Sequence, residues 1–327
     1  MHEFELIARI RDRCAVARED VRLGIGDDAA LLAVPAGHIL AVSMDTLVAG
    51  VHFPRSTRAF DVGWKALAVN LSDLAAMGAT PAWATLALTL PDGDAQWVGQ
   101  FADGFAALAG EFKLALVGGD TTQGPLSITV TVHGFVPDGA ALLRGGARAG
   151  DGVYVTGTLG DAAAGLRCLE QREGDPASAA LASAASCATL IERLDRPTPR
   201  VAQGLALRGR ASACIDISDG LVADLGHVCA ASGAGAEIDA ESLPASSALL
   251  GFCDAPTRHA LQLGGGDDYE LCFTAADAQA ASLLGDLARS GCGATRIGRI
   301  VAGRGVSVRD GSGNPLVAAQ AGWEHFR

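Results

Sequence analysis

At 327 residues, with 49% hydrophobic and only 5% aromatic side chains, the chain is too apolar for a disordered protein and long enough for two closely packed domains. A formal net charge of −12 argues against a nonspecific nucleic-acid binder, which works by setting Lys and Arg against phosphates. Lys65 and Lys113 are the only lysines, so anions must be met by arginines, backbone amides, helix N-termini or bound metals.

Residues 2–13 have the spacing of a short amphipathic helix, with Phe4, Ile7, Ala8 and Ile10 on one side. Residues 24–53 read as a hydrophobic hairpin flanked by two acidic turns. Asp27 and Asp28 follow a glycine pair that bends tightly, and a strand over Ile39–Val42 ends at Ser43, Met44 and Asp45. Carboxylates gathered in this way repel unless a cation joins them, and hard divalent ions with oxygen ligands are the ordinary answer. A helix is expected over Phe60–Met77, closed by Gly78 and Pro81. Its last turn carries Asp73, where the partial negative charge of a helix C-terminus disfavours an acid, so Asp73 is read as facing the same cation. A strand over Ala82–Leu90 and a helix over Asp94–Phe112 follow. A short buried strand, Leu114–Val117, then ends in GGDTT, placing Gly119 and Asp120 at the carboxyl end of a strand, where α/β proteins often put functional groups.

Ser127–Val136 alternates as a strand, and the glycine- and arginine-rich stretch after it marks a boundary near residue 140, giving domains 1–140 and 141–327. Arg144 and Arg148 serve either solubility or an anionic ligand such as a polyphosphate. Beyond them, strands at Gly152–Thr156, Cys214–Ile217, Ala236–Asp239, Tyr269–Phe273, 295–301 and 305–309 are expected. Helices fall at Gly160–Leu169, 178–194, 199–209, from Gly220 onward, near 245–251 and at 276–289, so the class is α/β. Acidic turns recur: Asp216 and Asp219 flank Ser218, and Asp267, Asp268 and Glu270 follow three glycines. Trp323 sits in a terminal GWEHFR that folds back onto something. The eight cysteines lack a CxxC pair and read as buried, reduced thiols. With neither a signal-peptide core nor a bilayer-length apolar run, the expected location is cytoplasmic, without a membrane partner.

Taken together, the acids suit several Mg²⁺ ions and a polyphosphate, because Mg²⁺ takes one or two carboxylates and completes its shell with water and phosphate oxygens. The chain has no GxxxxGK[ST], no protein-kinase motif set, no GxSxG, no HExxH and no GxGxxG opening a helix. Phosphoryl transfer needs mainly alignment and charge cancellation, and an acceptor that is already an anion needs no dedicated base.

GIGDDAALL, SMDTLVAGVHF, KALAVNLSDLAAMGATP, LVGGDTT, IDISDGL and GGGDDYEL, in this order, closely resemble thiamine-monophosphate kinases, within the superfamily of aminoimidazole-ribonucleotide synthetase. The likeness runs over essentially the whole chain. It implies the two-domain aminoimidazole-ribonucleotide synthetase-like fold, mixed sheets flanked by helices. It also implies ATP-dependent conversion of thiamine monophosphate to thiamine diphosphate, and a homodimer whose N-terminal domains join their sheets. By the same likeness, Mg²⁺ is held by Asp28, Ser43, Asp45, Asp73, Asp120, Asp216 and Asp219 with the Met44 backbone, and ATP by Gly119, Asp120, Arg144 and Ser218. His52, Asp267 and Trp323 meet the substrate, and Asp120 and Asp219 are catalytic. The family often has threonine at Met44 and glutamate at Asp267, so Met44 keeps only a backbone role and Asp267 has the shorter reach. Selenophosphate synthetase, which needs a reactive Cys with a nearby Lys, fits less well, since no such lysine follows Cys14. The hydrogenase-maturation protein would end in a cysteine. A non-catalytic nucleotide sensor would have lost several of these acids, all of which are present.

Overall fold

The structure, a computed structural model, describes residues 3–174, 184–316 and 322–323. The 178–183 part of an expected helix and the last four residues of the tail lie outside them. The chain forms two compact units, Met1–Leu74 with Ala79–Ala141, and Ala75–Gly78 with Leu142–Arg327.

In the first unit a two-stranded hairpin, β1 (Val21–Leu23) and β2 (Leu31–Leu32), accompanies a four-stranded sheet of β3 (His38–Val48), β4 (Thr80–Leu90), β5 (Ala115–Gln123) and β6 (Ser127–Pro137), in the order β3-β6-β4-β5. β4 and β5 run parallel and the other pairs antiparallel. The helices are α1 (Glu3–Arg13), α2 (Ala59–Ala76) and α3 (Ala95–Glu111). Leu67, Leu71 and Leu74 of α2, and Val98, Phe101, Phe105 and Leu108 of α3, recur at helical spacing and are buried. Asp94 caps α3, accepting from the N–H groups of Gln96 and Trp97.

Two strands are longer than the sequence suggests. β3 carries Ser43, Met44 and Asp45 within it rather than at a turn, because β6 pairs with it without interruption from His38 to Val48. β5 likewise runs through GGDTT: the parallel ladder from β4 bonds this glycine-rich stretch along its length, and tertiary pairing overrides its low strand propensity.

In the second unit a six-stranded sheet comprises β7 (Gly152–Thr156), β8 (Ala213–Asp216), β9 (Gly235–Asp239), β10 (Leu271–Ala275), β11 (Ala294–Val301) and β12 (Gly305–Arg309), in the order β12-β9-β11-β7-β10-β8. β7 and β10 are buried at every residue, which is why they read as continuous apolar runs. Its helices are α4 (Asp161–Gly174), α5 (Ala184–Asp195), α6 (Val201–Leu207), α7 (Leu221–Ser232), α8 (Ser247–Phe252), α9 (Ala255–Gly264) and α10 (Asp277–Arg289). Leu221, Leu225 and Val228 of α7 pack with Val153, Ile215 and Ile217 in the main core. A second core joins Ala164, Cys168, Leu190, Leu249 and Leu261 of α4, α5, α8 and α9. There Cys168 and Cys187 form a disulfide, Cα–Cα 5.9 Å, so the expectation of uniformly reduced thiols fails at this pair. Among the described residues no helix is long and apolar enough to cross a membrane.

Candidate active site

In the first unit Ser43, on the α2 side of β3, donates its hydroxyl to Asp73 Oδ2 at 2.5 Å. One turn earlier in α2, the fully buried Asn70 accepts from the Asp45 N–H at 3.0 Å and donates to Ala66 O. Asn70 thereby pins the middle of β3 to α2 and sets Ser43, Asp45 and Asp73 in one neighbourhood of hard oxygen donors. Alternation turns Met44 to the opposite sheet face, where it is 62% exposed, so only its backbone is available to the Ser43–Asp73 side.

Asp120 lies elsewhere on the sheet. Its register row runs Thr46, Thr129, Ala87, Asp120, while Asp45 shares a row with Val130, Leu86 and Gly119. Asp45 and Asp120 are therefore three strand spacings apart, about 14 Å, and belong to opposite faces. Mg²⁺ ligands stand ~2.1 Å from the ion, so these two carboxylates of one chain do not share one ion. Beside Asp120 is a cleft of about 60 Å³ lined by Ile7, Ile10, Ile25, Leu86 and Leu116. Gly119 is required there, since a Cβ would lie 1.9 Å from Leu86 O. Asp28 is exposed on the β1–β2 connection, and its N–H donates to Asp27 Oδ1 at 2.9 Å. His52 Nδ1 accepts from the Val48 N–H at 3.0 Å, so the neutral ring carries its proton on Nε2.

In the second unit the expected residues come together at the edge strand β8. Asp216 ends β8 and is buried, while Ser218 and Asp219 follow, half-buried. The loop holding Asp267 runs alongside: Asp267 N–H donates to Ser218 O at 2.8 Å, Tyr269 N–H to Ile217 O at 2.8 Å, and Ile217 N–H to Glu270 O at 2.8 Å. Asp267 and Tyr269 hold positive φ, 69° and 50°, and the Tyr269 hydroxyl donates to Asp267 Oδ1 at 3.0 Å. Such non-glycine conformations persist where surrounding bonds over-determine them. Trp323 joins the group through its N–H, 3.1 Å from Asp219 O. Arg144 is exposed next to Leu143, whose carbonyl accepts from Cys214 N–H of β8 at 2.9 Å.

Two acids of GGGDDYE are structural. Glu270, 0% exposed, accepts from Arg200 at 2.6 and 2.5 Å, Arg193 at 2.8 Å and Thr156 at 2.7 Å. Asp268 accepts from Gly160 N–H at 2.7 Å, and burial pushes its carboxyl well above the usual range. Sequence reasoning missed Asp224, in the first turn of α7. It is 3% exposed, and burial, together with the neighbouring Asp219, pushes its carboxyl up to about 6 although three amides pull the other way. Its signal was an acid on the same helical face as Leu221, Leu225 and Val228. Among the described residues no three His, Cys, Asp or Glu side chains are grouped to hold a metal ion. The donors that fit Mg²⁺ are instead the oxygens of Ser43 with Asp73 and those of the 216–219 loop.

The AIR synthase related protein N-terminal domain family matches residues 26–136, and the C-terminal domain family matches residues 148–311. Thiamine-monophosphate kinase of Salmonella typhimurium is 49% identical over 326 residues, covering 99% of this chain and 98% of that protein. The crystal structure of the Stenotrophomonas maltophilia K279a thiamine-monophosphate kinase is 52% identical, with TM-score 0.87, covering 97% of this chain and 98% of that one. AaThiL complexed with AMPPCP and TMP is 34% identical, with TM-score 0.78, covering 99% and 97%.

Proposed function

The chain belongs to the thiamine-monophosphate kinase family, and on that premise we propose that the γ-phosphoryl group of ATP passes in line and directly to the phosphate of its substrate. The activity is ATP-dependent phosphorylation of thiamine monophosphate, a kinase reaction with a phosphate acceptor. The acceptor is ionised at neutral pH, so no side chain need remove a proton before attack; the protein's work is alignment and charge cancellation.

In this reading Asp28, Ser43, Asp45, Asp73 and Asp120 of the first unit, with the Met44 carbonyl, and Asp216 and Asp219 of the second hold Mg²⁺. Bound magnesium supplies neutralisation of phosphate charge. Gly119, Asp120, Arg144 and Ser218 bind ATP, and Asp120 and Asp219 act at the transferring group. His52 presents Nε2–H to the substrate, Asp267 gives a carboxylate, and Trp323, 51% exposed, offers a ring face to the cationic thiazolium. A homodimer joining two N-terminal sheets is supported by the apolar residues on the open face of β3, Leu40, Val42 and Met44, which are 38%, 56% and 62% exposed. The need for ATP fits the cytoplasm.

The Ser43–Asp73 pair beside Asp45 carries this reading, because a hydroxyl and two acids concentrated at one sheet position are hard-cation donors that core packing does not call for. The test is ADP release with thiamine monophosphate, thiamine and aminoimidazole-ribotide precursors side by side, with and without Mg²⁺. Magnesium-dependent turnover of thiamine monophosphate alone is expected. ATP made chiral at the γ-phosphorus should give product of inverted configuration, and retention would overturn direct transfer in favour of a phosphoenzyme.

A further inference from the structure

We propose that Asp224 is a positioning residue, whose carboxylate gathers the backbone of the 218–220 loop and thereby fixes the side chain of Asp219 for the transfer. The inference rests on the reading of Asp219 as a functional acid. One oxygen, Asp224 Oδ2, accepts from the N–H groups of Ser218, Asp219 and Gly220, each at 3.1 Å. Gly220 has φ 131°, a conformation that side-chain-bearing residues rarely adopt, and this backbone lets three successive amides point at one atom. Converging amides ahead of a helix are the arrangement with which phosphate-binding loops hold an anion. Here the chain's own carboxylate fills that cradle. The amides of the loop are therefore committed internally, and Ser218 and Asp219 are left to meet a ligand through their side chains.

Packing does not account for an acid at this position. Asp224 is 3% exposed on a helix face otherwise made of Leu221, Leu225 and Val228, where an apolar residue would bury without desolvating a charge. Charge-assisted bonds to three amides offset that penalty only if the loop is held. The loop is also bonded from its other side, by Asp267 N–H on Ser218 O and Trp323 N–H on Asp219 O, so its conformation is set from two directions.

Asp224→Ala and Asp224→Asn separate this role from general stabilisation, because the Asn carbonyl oxygen can still accept all three N–H groups. For Asp224→Ala, kcat should fall at least tenfold with the KM for thiamine monophosphate within twofold of wild type. Hydrogen–deuterium exchange of the 218–220 amides should quicken at least tenfold. Asp224→Asn should stay within threefold on each measure. A folded Ala variant with kcat within twofold, or an Asn variant as impaired as Ala, would overturn the proposal. If Ala does not fold, Asp224→Ser and Asp224→Asn decide it: Ser, with too short a reach, must lose kcat where Asn retains it. Asp219→Asn run in parallel separates the two claims. Undiminished turnover there would remove the role of Asp219, while amide exchange in the Asp224 variants would still report whether the loop is held.

Discussion

The two units prepare their acids in different ways. In the first, the carboxylates are spread over a sheet: Asp73 is tied to Ser43, and Asp45 and Asp120 stand on strands three spacings apart. In the second, Asp216 and Asp219 share one short loop fastened by Asp224, by the 267–270 segment and by the backbone of Trp323. The first set is dispersed and needs cations to offset its charge, whereas the second is held in place before any ligand arrives. Preorganised charge contributes to rate because it needs no rearrangement at the moment of reaction, while dispersed charge sets how much cation the enzyme requires.

The strongest way to break the contrast is to loosen the fixed side. Glu270→Ala leaves Arg193 and Arg200 without their buried partner and should cost about 3–5 kcal/mol of stability, read as a lower urea midpoint. A midpoint matching wild type would mean that this network does not hold the loop. Next in size, Asp219→Asn should lower kcat by roughly 10²–10³, about 3–4 kcal/mol, with an unchanged circular dichroism spectrum. Full turnover in that folded variant would remove the residue from the reaction. Asp94→Ala, which uncaps α3 of the first unit, should lose about 1 kcal/mol of stability and leave the magnesium dependence of turnover alone. A changed magnesium curve would show that helix packing and the dispersed acids are not separable.

The smallest effect concerns pH. The Arg18 guanidinium, with help from Trp83 Nε1–H, holds the Asp20 carboxyl below its ordinary 3.8. A depressed carboxylate stabilises the fold above its unfolded pKa, and that contribution disappears as pH falls through the folded value. The Tm difference between wild type and Asp20→Asn should therefore be larger at pH 7 than in strong acid. An equal difference at both would contradict the assignment.

Much of this was legible from residue spacing. The leucines of α2 placed a helix correctly and brought Asp73 to its last turn, and the apolar runs of β7 and β10 announced buried strands. The acidic strands were harder to read, because glycines and aspartates around Asp45 and Asp120 carry turn signals that neighbouring strands override. α9 was missed although Asp254 caps it and a proline opens it, a pattern visible in the sequence. Glu270 looked like a ligand because its partners Arg193 and Arg200 lie some seventy residues away, beyond any local pattern. Asp224 escaped for a related reason: a motif search stops at Gly220, while the amides it collects converge only once the loop turns into α7.

The central claim is that the carboxylates act through bound magnesium, and the Mg²⁺ concentration giving half-maximal turnover tests it most directly. In Asp73→Asn, with ATP saturating, that concentration should rise at least tenfold while the KM for thiamine monophosphate stays within twofold. A magnesium curve superimposable on wild type would contradict the account.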